Sequence, residues 1–158
     1  MTIVLDTNIF MSEVARNGLK DVTSVELRTR PLVANDTFEA MVAARDKLAI
    51  SPAVVEEYLR ILELKGGGGV CVEIAVRKLV ELQSLGLLVR SNPRLEARPP
   101  QDIPAKDEHL VKCATGSGAN IIVTNDGTHL NNVAMRQTLE LLYGIKVRWP
   151  HEYLGLRQ

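Results

Sequence analysis

The sequence predicts an α/β fold built on a mainly parallel sheet. Three observations support this. Short continuous apolar runs such as Ile3-Val4-Leu5 and Ile121-Ile122-Val123 are bounded by polar residues, as strands buried on both faces are. Longer stretches between such runs carry apolar residues at helical spacing. The two kinds of segment alternate along the chain, the pattern of βαβ units in a parallel sheet.

The elements follow in order. After the first strand, Thr7 or Asn8 can cap a helix running to about residue 17, ended by Gly18. Residues 19–36 contain a stretch that could be extended, although Pro31 argues against a central strand there. Residues 37–47 are expected to be helical, with Thr37 as cap and Phe38, Met41 and Val42 on one face; residues 48–50 form the second strand. Ser51 and Pro52 then open a helix to about residue 64, Ser as N-cap and Pro in the first turn. The glycines at 66–69 break the chain before a helix over 70–85 and a strand over 87–89. A proline-containing connection spans 91–104, and a helix over 105–114 is stopped by Gly116 and Gly118. A strand at 121–124, a helix around 133–143 and a strand at 145–148 complete the series.

A length of 158 residues fits one domain spanning 1–158, large enough to bury a core without disulfides or metals. The 46% hydrophobic and 24% charged content excludes a disordered or fibrous chain. No apolar run approaches the roughly 20 residues of a membrane span, and the polar Asp6-Thr7-Asn8 following the first strand does not suit a signal peptide. Nineteen basic and 19 acidic residues give a formal charge of zero, which excludes a uniformly basic nucleic-acid binder but leaves room for a local basic patch. Cys71 and Cys113 form no disulfide framework, so reduced thiols and a cytoplasmic location are expected.

The chemistry lies in the acids. Asp6 follows the first strand and Asp126 follows the strand at 121–124. Ligand sites in open parallel sheets gather at the carboxyl ends of strands, so the two carboxylates meet if those strands are neighbours. Taken singly, each has a structural alternative: Asp6 as a cap, and Asn125-Asp126-Gly127 as an ordinary turn. In the helix over 52–64, Glu56 stands four residues before Arg60 on a solvated face, which predicts a surface ion pair. Glu57 neighbours Val54, Ile61 and Leu64 at the edge of the apolar stripe, where a carboxylate calls for a partner or a cation. Asp107 is placed in the first turn of its helix on the face of Leu110, Val111 and Ala114, where it could also complement the helix dipole. Glu108 points outward near Lys112, and Asp102 could cap or act as a peripheral ligand.

Four such carboxylates in one pocket repel one another unless they hold protons or a cation. Hard oxygen ligands without paired His or Cys suit Mg²⁺ or Mn²⁺ rather than zinc. A cluster of this kind can activate water for in-line attack on a phosphodiester. Other signals are weaker. The glycines at 66–69 lack a following Lys-Ser/Thr and read as a flexible connection. His109, His129 and His151 lack zinc spacing, so they are not expected to bind metal, and His109 is expected to be an exposed helix residue. Cys113 reads as a small core residue, while Cys71 has no catalytic partner nearby in sequence. Trp149, Tyr143 and Tyr153 are too scattered to predict a base-stacking platform.

The chain resembles the PIN-domain family. The segments IVLDTNIF at 3–10, ISPAVVEEYLRIL at 50–62, DIPAKDEHLVKCA at 102–114 and ANIIVTNDGTHL at 119–130 occur in family order, each carrying its acid. The resemblance implies a Rossmann-like three-layer α/β/α sandwich and a metal-dependent nuclease, usually acting on RNA, with Mg²⁺ or Mn²⁺ as cofactor. It places metal-binding acids at Asp6, Glu57, Asp107 and Asp126, supported by Asn8 and Thr124 through hydrogen bonds. Thr128 stands where many members carry a further acid.

On that basis Asp6, Asp107 and Asp126 hold one or two ions, and Glu57 binds metal or orients the attacking water. Setting these four aside from the 19 acids leaves 15 against 19 basic residues. Arg16, Lys20, Arg28 and Arg30 could contribute to a positive rim around an acidic pit. The resemblance also suggests a homodimer or larger homo-oligomer and, for a toxin of a toxin–antitoxin pair, an antitoxin partner. The rival readings are a PIN-fold module that binds RNA or protein without cleaving, which Thr128 favours, and a phosphotransfer enzyme with Asp6 as nucleophile, which Asn8 disfavours because such enzymes usually carry a second Asp there. A third is a structural module in an oligomer, with the helices expected at 37–47 and 70–85 supplying an interface.

Overall fold

A computed structural model describes residues 1–17, 37–65 and 69–157. The expectations for residues 19–36, for Gly18 as a helix stop, for Lys20, Arg28 and Arg30, and for glycines 66–68 lie outside the described residues, as does the Arg16 side chain. Five strands, β1 (Thr2–Leu5), β2 (Lys47–Ile50), β3 (Leu88–Arg90), β4 (Ile121–Val123) and β5 (Lys146–Arg148), form one all-parallel sheet in the order β3-β2-β1-β4-β5. Among the described residues seven α-helices flank it: α1 (Thr7–Asn17), α2 (Thr37–Ala43), α3 (Pro52–Lys65), α4 (Gly69–Ser84), α5 (Glu108–Ser117), α6 (Val133–Tyr143) and α7 (Pro150–Gly155). This is the three-layer α/β/α sandwich.

Strand β1 lies at the centre of the sheet. Ile3, Val4 and Leu5 are fully buried and pair with Leu48 on one side and with Ile121, Ile122 and Val123 on the other. The chain runs outward from β1 to β2 and β3, then returns to place β4 and β5 on the opposite side. The strand order therefore reverses between β1 and β4, and the crevice at such a switch point is where open α/β sheets bind ligands.

Local chemistry sets the helix ends. Ser51 Oγ accepts from Val54 N at 3.2 Å, so the expected N-cap of α3 is present. Helix α2 stops at Ala43, earlier than the periodicity of 37–47 suggested, because the chain reverses through Arg45 at φ 54° before β2. The helix expected over 105–114 begins at Glu108 and passes through Gly116, which the sequence marked as a stop. A Cβ at Gly116 would lie 2.1 Å from Ser91 Oγ and 2.9 Å from the Asn92 carbonyl, so this glycine serves close packing. The actual stop is Gly118 at φ 69°, whose N–H bonds back to the Ala114 and Thr115 carbonyls. Helix α7 was not anticipated. Pro150 opens it, Glu152 Oε2 accepts from Trp149 N at 2.9 Å, and Tyr153 donates to the buried Asp46 at 2.7 Å.

Side-chain contacts tie the helices to one another and to the end of β1. Phe10 of α1 stacks on Tyr58 of α3 with centroids 4.4 Å apart, an arrangement contributing about 0.5–1.5 kcal/mol beyond burial. The Tyr58 hydroxyl donates to the Leu5 carbonyl. Helix α3 is thus tied to the residue immediately before Asp6. Lys78 of α4 and Glu13 of α1 form a buried ion pair at 3.1 Å, with the ammonium 5.6 Å from the Phe38 ring centroid. No helix among the described residues is long and apolar enough to cross a membrane.

Candidate functional site

Asp6 occupies the turn between β1 and α1. Its N–H extends the ladder to the Val123 carbonyl at 2.9 Å, and its own carbonyl accepts from Ile9 and Phe10, so its backbone caps α1. The side chain is left to point along the switch-point crevice, where the Thr124 hydroxyl donates to Oδ2 at 2.6 Å. Thr124 is fully buried at the end of β4, and its Oγ1 in turn accepts from Asp126 N at 2.9 Å. One hydroxyl therefore links the acids of two neighbouring strand ends. The expected meeting of Asp6 and Asp126 follows from the β1–β4 pairing, which no local sequence signal specifies.

Asp126 begins a tight turn. Its Oδ1 accepts from Thr128 N at 2.9 Å and His129 N at 3.1 Å, which fixes the carboxylate plane. Its Oδ2 faces His129 Nδ1 at 2.8 Å and Lys106 Nζ at 3.5 Å. Asp107 enters from the start of α5. It is the N-cap residue rather than a first-turn residue, and its carboxylate makes no capping bond. Its Oδ2 is buried, has no hydrogen-bond partner among the described residues, and lies 3.9 Å from His129 Nδ1. Ligand atoms of Asp107, Asp126 and His129 all lie within 4.8 Å of one another.

The electrostatics match a crowded acidic pit. Burial raises the Asp6 carboxyl above its ordinary value, with the Thr124 bond opposing and the charge of Asp126 adding to the rise. Burial also raises Asp107; Lys106 opposes it, and the charges of Asp126 and Asp6 push it further. Asp126 goes the other way. Burial disfavours its charge, but hydrogen bonds from His129 and Thr128 hold it down at about 2. The pocket thus contains one firmly ionised acid and two whose ionisation is costly without a cation.

Glu57 is placed differently. Its carboxylate is gripped by the Arg60 guanidinium through two bonds of 2.9 Å, and this bond lowers its pKa. The sequence assigned Arg60 to Glu56 instead. Glu56 is exposed, and Arg60 reaches the i−3 acid rather than the i−4 one. Glu57 is not in the three-residue ligand group, although His109 lies within electrostatic reach of both Glu57 and Asp6. Asn8 is exposed, and its backbone carbonyl accepts from Ser12 Oγ at 2.9 Å. Glu108 pairs with Lys112 at 3.0 Å, as the i,i+4 spacing predicted.

Sequence reasoning missed two histidines. His109, expected at the surface, is half-buried, and its Nε2 is enclosed without a hydrogen-bond partner among the described residues. His129 was set aside for lack of zinc spacing, yet the turn that begins at Asp126 folds it onto the acids. The usable signal was the pair Asp126 and His129 three residues apart in a glycine-containing turn. Cys113 is buried, and its thiol is raised to about 12, chiefly by burial, consistent with a core residue. A groove of about 840 Å³ beside α3, lined by Val55, Leu59, Arg60, Val72 and Arg90, contains none of the candidate acids.

The donor set fits a divalent cation. It combines two carboxylate oxygens, one of them buried without a hydrogen-bond partner, with an imidazole nitrogen in the same pocket. Protein interiors rarely leave a carboxylate oxygen in that state unless something else satisfies it.

No curated protein and no solved structure matches the chain. A family model described as the PIN domain matches residues 2–128, which include every candidate acid. PIN domains share a nuclease fold, and the all-parallel α/β/α sheet with acids at its switch point has that architecture. The chain belongs to the PIN-domain family.

Proposed function

We propose that this protein is a metal-dependent nuclease that hydrolyses phosphodiester bonds in RNA. The observation that supports this reading is the linkage of Asp6 to Asp126 through Thr124 at the β1–β4 switch point, with the buried Asp107 Oδ2, lacking a hydrogen-bond partner among the described residues, in the same pocket. Asp107 and Asp126 would hold Mg²⁺ or Mn²⁺, with Asp6 beside them. Such an ion, when bound, activates water and stabilises charge on the attacking and leaving oxygens.

The chain's own residues do the rest. Thr124 holds the Asp6 carboxylate in one orientation and fixes the Asp126 backbone at the same time. Lys106, with 62% of its side chain exposed at the mouth of the pit, offers an ammonium to a phosphate. Glu57, held by Arg60 and with its pKa lowered by that bond, would orient the attacking water through a carboxylate oxygen rather than take its proton. Arg60 is exposed, and an exposed pair of this kind separates at little cost. No protein nucleophile is required. Phosphate contacts of this sort position a strand but carry little sequence information. Two free cysteines suit a cytoplasmic location, and the family resemblance suggests a homo-oligomer that serves either as the toxin of a toxin–antitoxin pair or as an RNA-processing or decay enzyme without such a partner.

A second reading has its own support. Lys106 supplies part of the countercharge to Asp126, His129 contacts the same oxygen, and Thr128 stands where many family members carry a further acid. A PIN-fold module that binds RNA or protein without cleaving it fits those facts. Cleavage of labelled single-stranded RNA with Mn²⁺, with Mg²⁺ and with EDTA separates the two. The nuclease reading predicts cleavage that EDTA stops and that Asp6→Asn reduces at least about 100-fold with an unchanged circular dichroism spectrum. Full activity in Asp6→Asn, or none in the wild type with either ion, rejects it.

A further inference from the structure

We propose that His129 is a nitrogen ligand of this centre and makes it select Mn²⁺ and related transition ions over Mg²⁺. The inference rests on the metal-centre part of the reading above but not on the substrate. Two observations carry it. One is the buried Asp107 Oδ2 in a residue only 9% exposed, with no hydrogen-bond partner among the described residues and within 3.9 Å of His129 Nδ1. The other is the arrangement of the imidazole. Asp126 Oδ1 is engaged by two backbone N–H groups, which leaves Oδ2 turned toward the ring at 2.8 Å from Nδ1.

Those spacings suit a shared ion. With metal–ligand bonds of about 2.1 Å, adjacent ligands stand about 3 Å apart and opposite ones about 4.2 Å apart. The observed 2.8 and 3.9 Å from Nδ1 to Asp126 and Asp107 fall near that range without moving the backbone. Ligation needs a neutral imidazole with its proton on Nε2, a tautomer open to any histidine. The Lys106 ammonium, which also contacts Asp126 Oδ2, is mostly exposed and can turn outward.

Donor chemistry sets the selectivity. Mg²⁺ prefers oxygen ligands in near-ideal octahedra and keeps its waters. An imidazole nitrogen gains far more from a first-row transition ion. An all-carboxylate pit would discriminate less between Mg²⁺ and Mn²⁺ than this one.

The test uses the full chain loaded with Mn²⁺ alone. Electron spin-echo envelope modulation reads nitrogen bound to the ion directly, and calorimetry gives Mn²⁺ and Mg²⁺ affinities. The proposal predicts nitrogen modulation in the wild type that His129→Ala removes and His109→Ala keeps. It also predicts at least a tenfold loss of Mn²⁺ affinity in His129→Ala, and a narrower Mn²⁺/Mg²⁺ affinity ratio in His129→Asp. Bound Mn²⁺ without nitrogen modulation in the wild type overturns it, and that measurement needs no variant to fold. Modulation that persists in His129→Ala also overturns it. RNA cleavage is scored separately. Nitrogen-ligated Mn²⁺ without cleavage sinks the nuclease reading and keeps this one, whereas cleavage without nitrogen ligation does the reverse.

Discussion

The Thr124 hydroxyl donates to Asp6 Oδ2 at 2.6 Å while accepting from Asp126 N at 2.9 Å. A single buried side chain at the end of β4 therefore couples the acid of β1 to the acid that follows β4. The coupling depends on a hydroxyl, because no apolar isostere can both donate and accept.

Thr124→Val should keep the volume and remove both bonds. It leaves the Asp126 N–H without this acceptor and Asp6 without its strongest stabilising donor. The expected cost is about 1–3 kcal/mol of folding stability, read as a lower midpoint in urea. Mn²⁺ affinity measured by calorimetry should fall by about tenfold or more. A variant that loses stability but keeps full affinity would show that Thr124 braces the fold and not the site.

The pKa shifts make a signed prediction for metal-free protein. A buried acid whose pKa is raised in the fold destabilises the folded state above that pKa, and the penalty disappears as pH falls to the unfolded value. Asp6 is such a group, its rise due chiefly to burial. Asp6→Asn keeps an acceptor for Thr124 and removes the charge. At pH 7 without divalent ions the variant should therefore melt higher than the wild type by a few degrees, at about 2–4 °C per kcal/mol for a chain of this size. The gap should close as pH approaches 3.8. Asp126 carries the opposite sign. Its contribution is complete above 3.8 and is lost as pH falls through about 2, so Asp126→Asn should melt lower at pH 7. Saturating Mn²⁺ should reverse the order of wild type and Asp6→Asn.

Tyr58→Phe tests how α3 is anchored. It keeps the stack on Phe10 and removes the donor to the Leu5 carbonyl, one residue before Asp6. A loss of about 1–3 kcal/mol is expected, with lowered Mn²⁺ affinity because the strand end that carries Asp6 loses its tie to α3. Unchanged thermal stability would show that this hydroxyl is dispensable.

Gly127→Ala gives a local optical readout. A Cβ there would lie 2.6 Å from Trp149 Cη2 and 3.1 Å from Cζ2. Trp149 is the one tryptophan in the sequence, so its fluorescence reports this contact without interference. The ring must move, at a cost of about 1–3 kcal/mol, and the emission maximum should shift to longer wavelength. Emission identical to wild type would place the ring elsewhere in solution.

Much of this was legible in the residues. Ile3 to Leu5 and Ile121 to Val123 are apolar at every position and bounded by polar residues, a pattern that suits a strand buried on both faces. Asp6 and Asp126 stand at the ends of those runs, so their place at the sheet's carboxyl edge followed. What the sequence could not supply was tertiary. The β1–β4 pairing joins segments far apart in the chain, and the choice of Arg60 for Glu57 over Glu56 depends on rotamers that both spacings allow. Gly116 looked like a helix stop because its tight contact with Ser91 and Asn92 comes from another segment. His129 was set aside because histidine-to-histidine spacing was the wrong template. Its partner is a carboxylate three residues earlier, brought round by a turn. Helix α7 is too short for periodicity to reveal.

In the proposed centre Asp107 and Asp126, beside Asp6, hold a divalent ion at the β1–β4 crevice. Anomalous diffraction from a crystal soaked in Mn²⁺ tests it most directly. A manganese peak within bonding distance of Asp107 Oδ2 and Asp126 Oδ2 is expected. A soaked crystal with no peak at those oxygens, or with the ion bound at an unrelated surface, would contradict it.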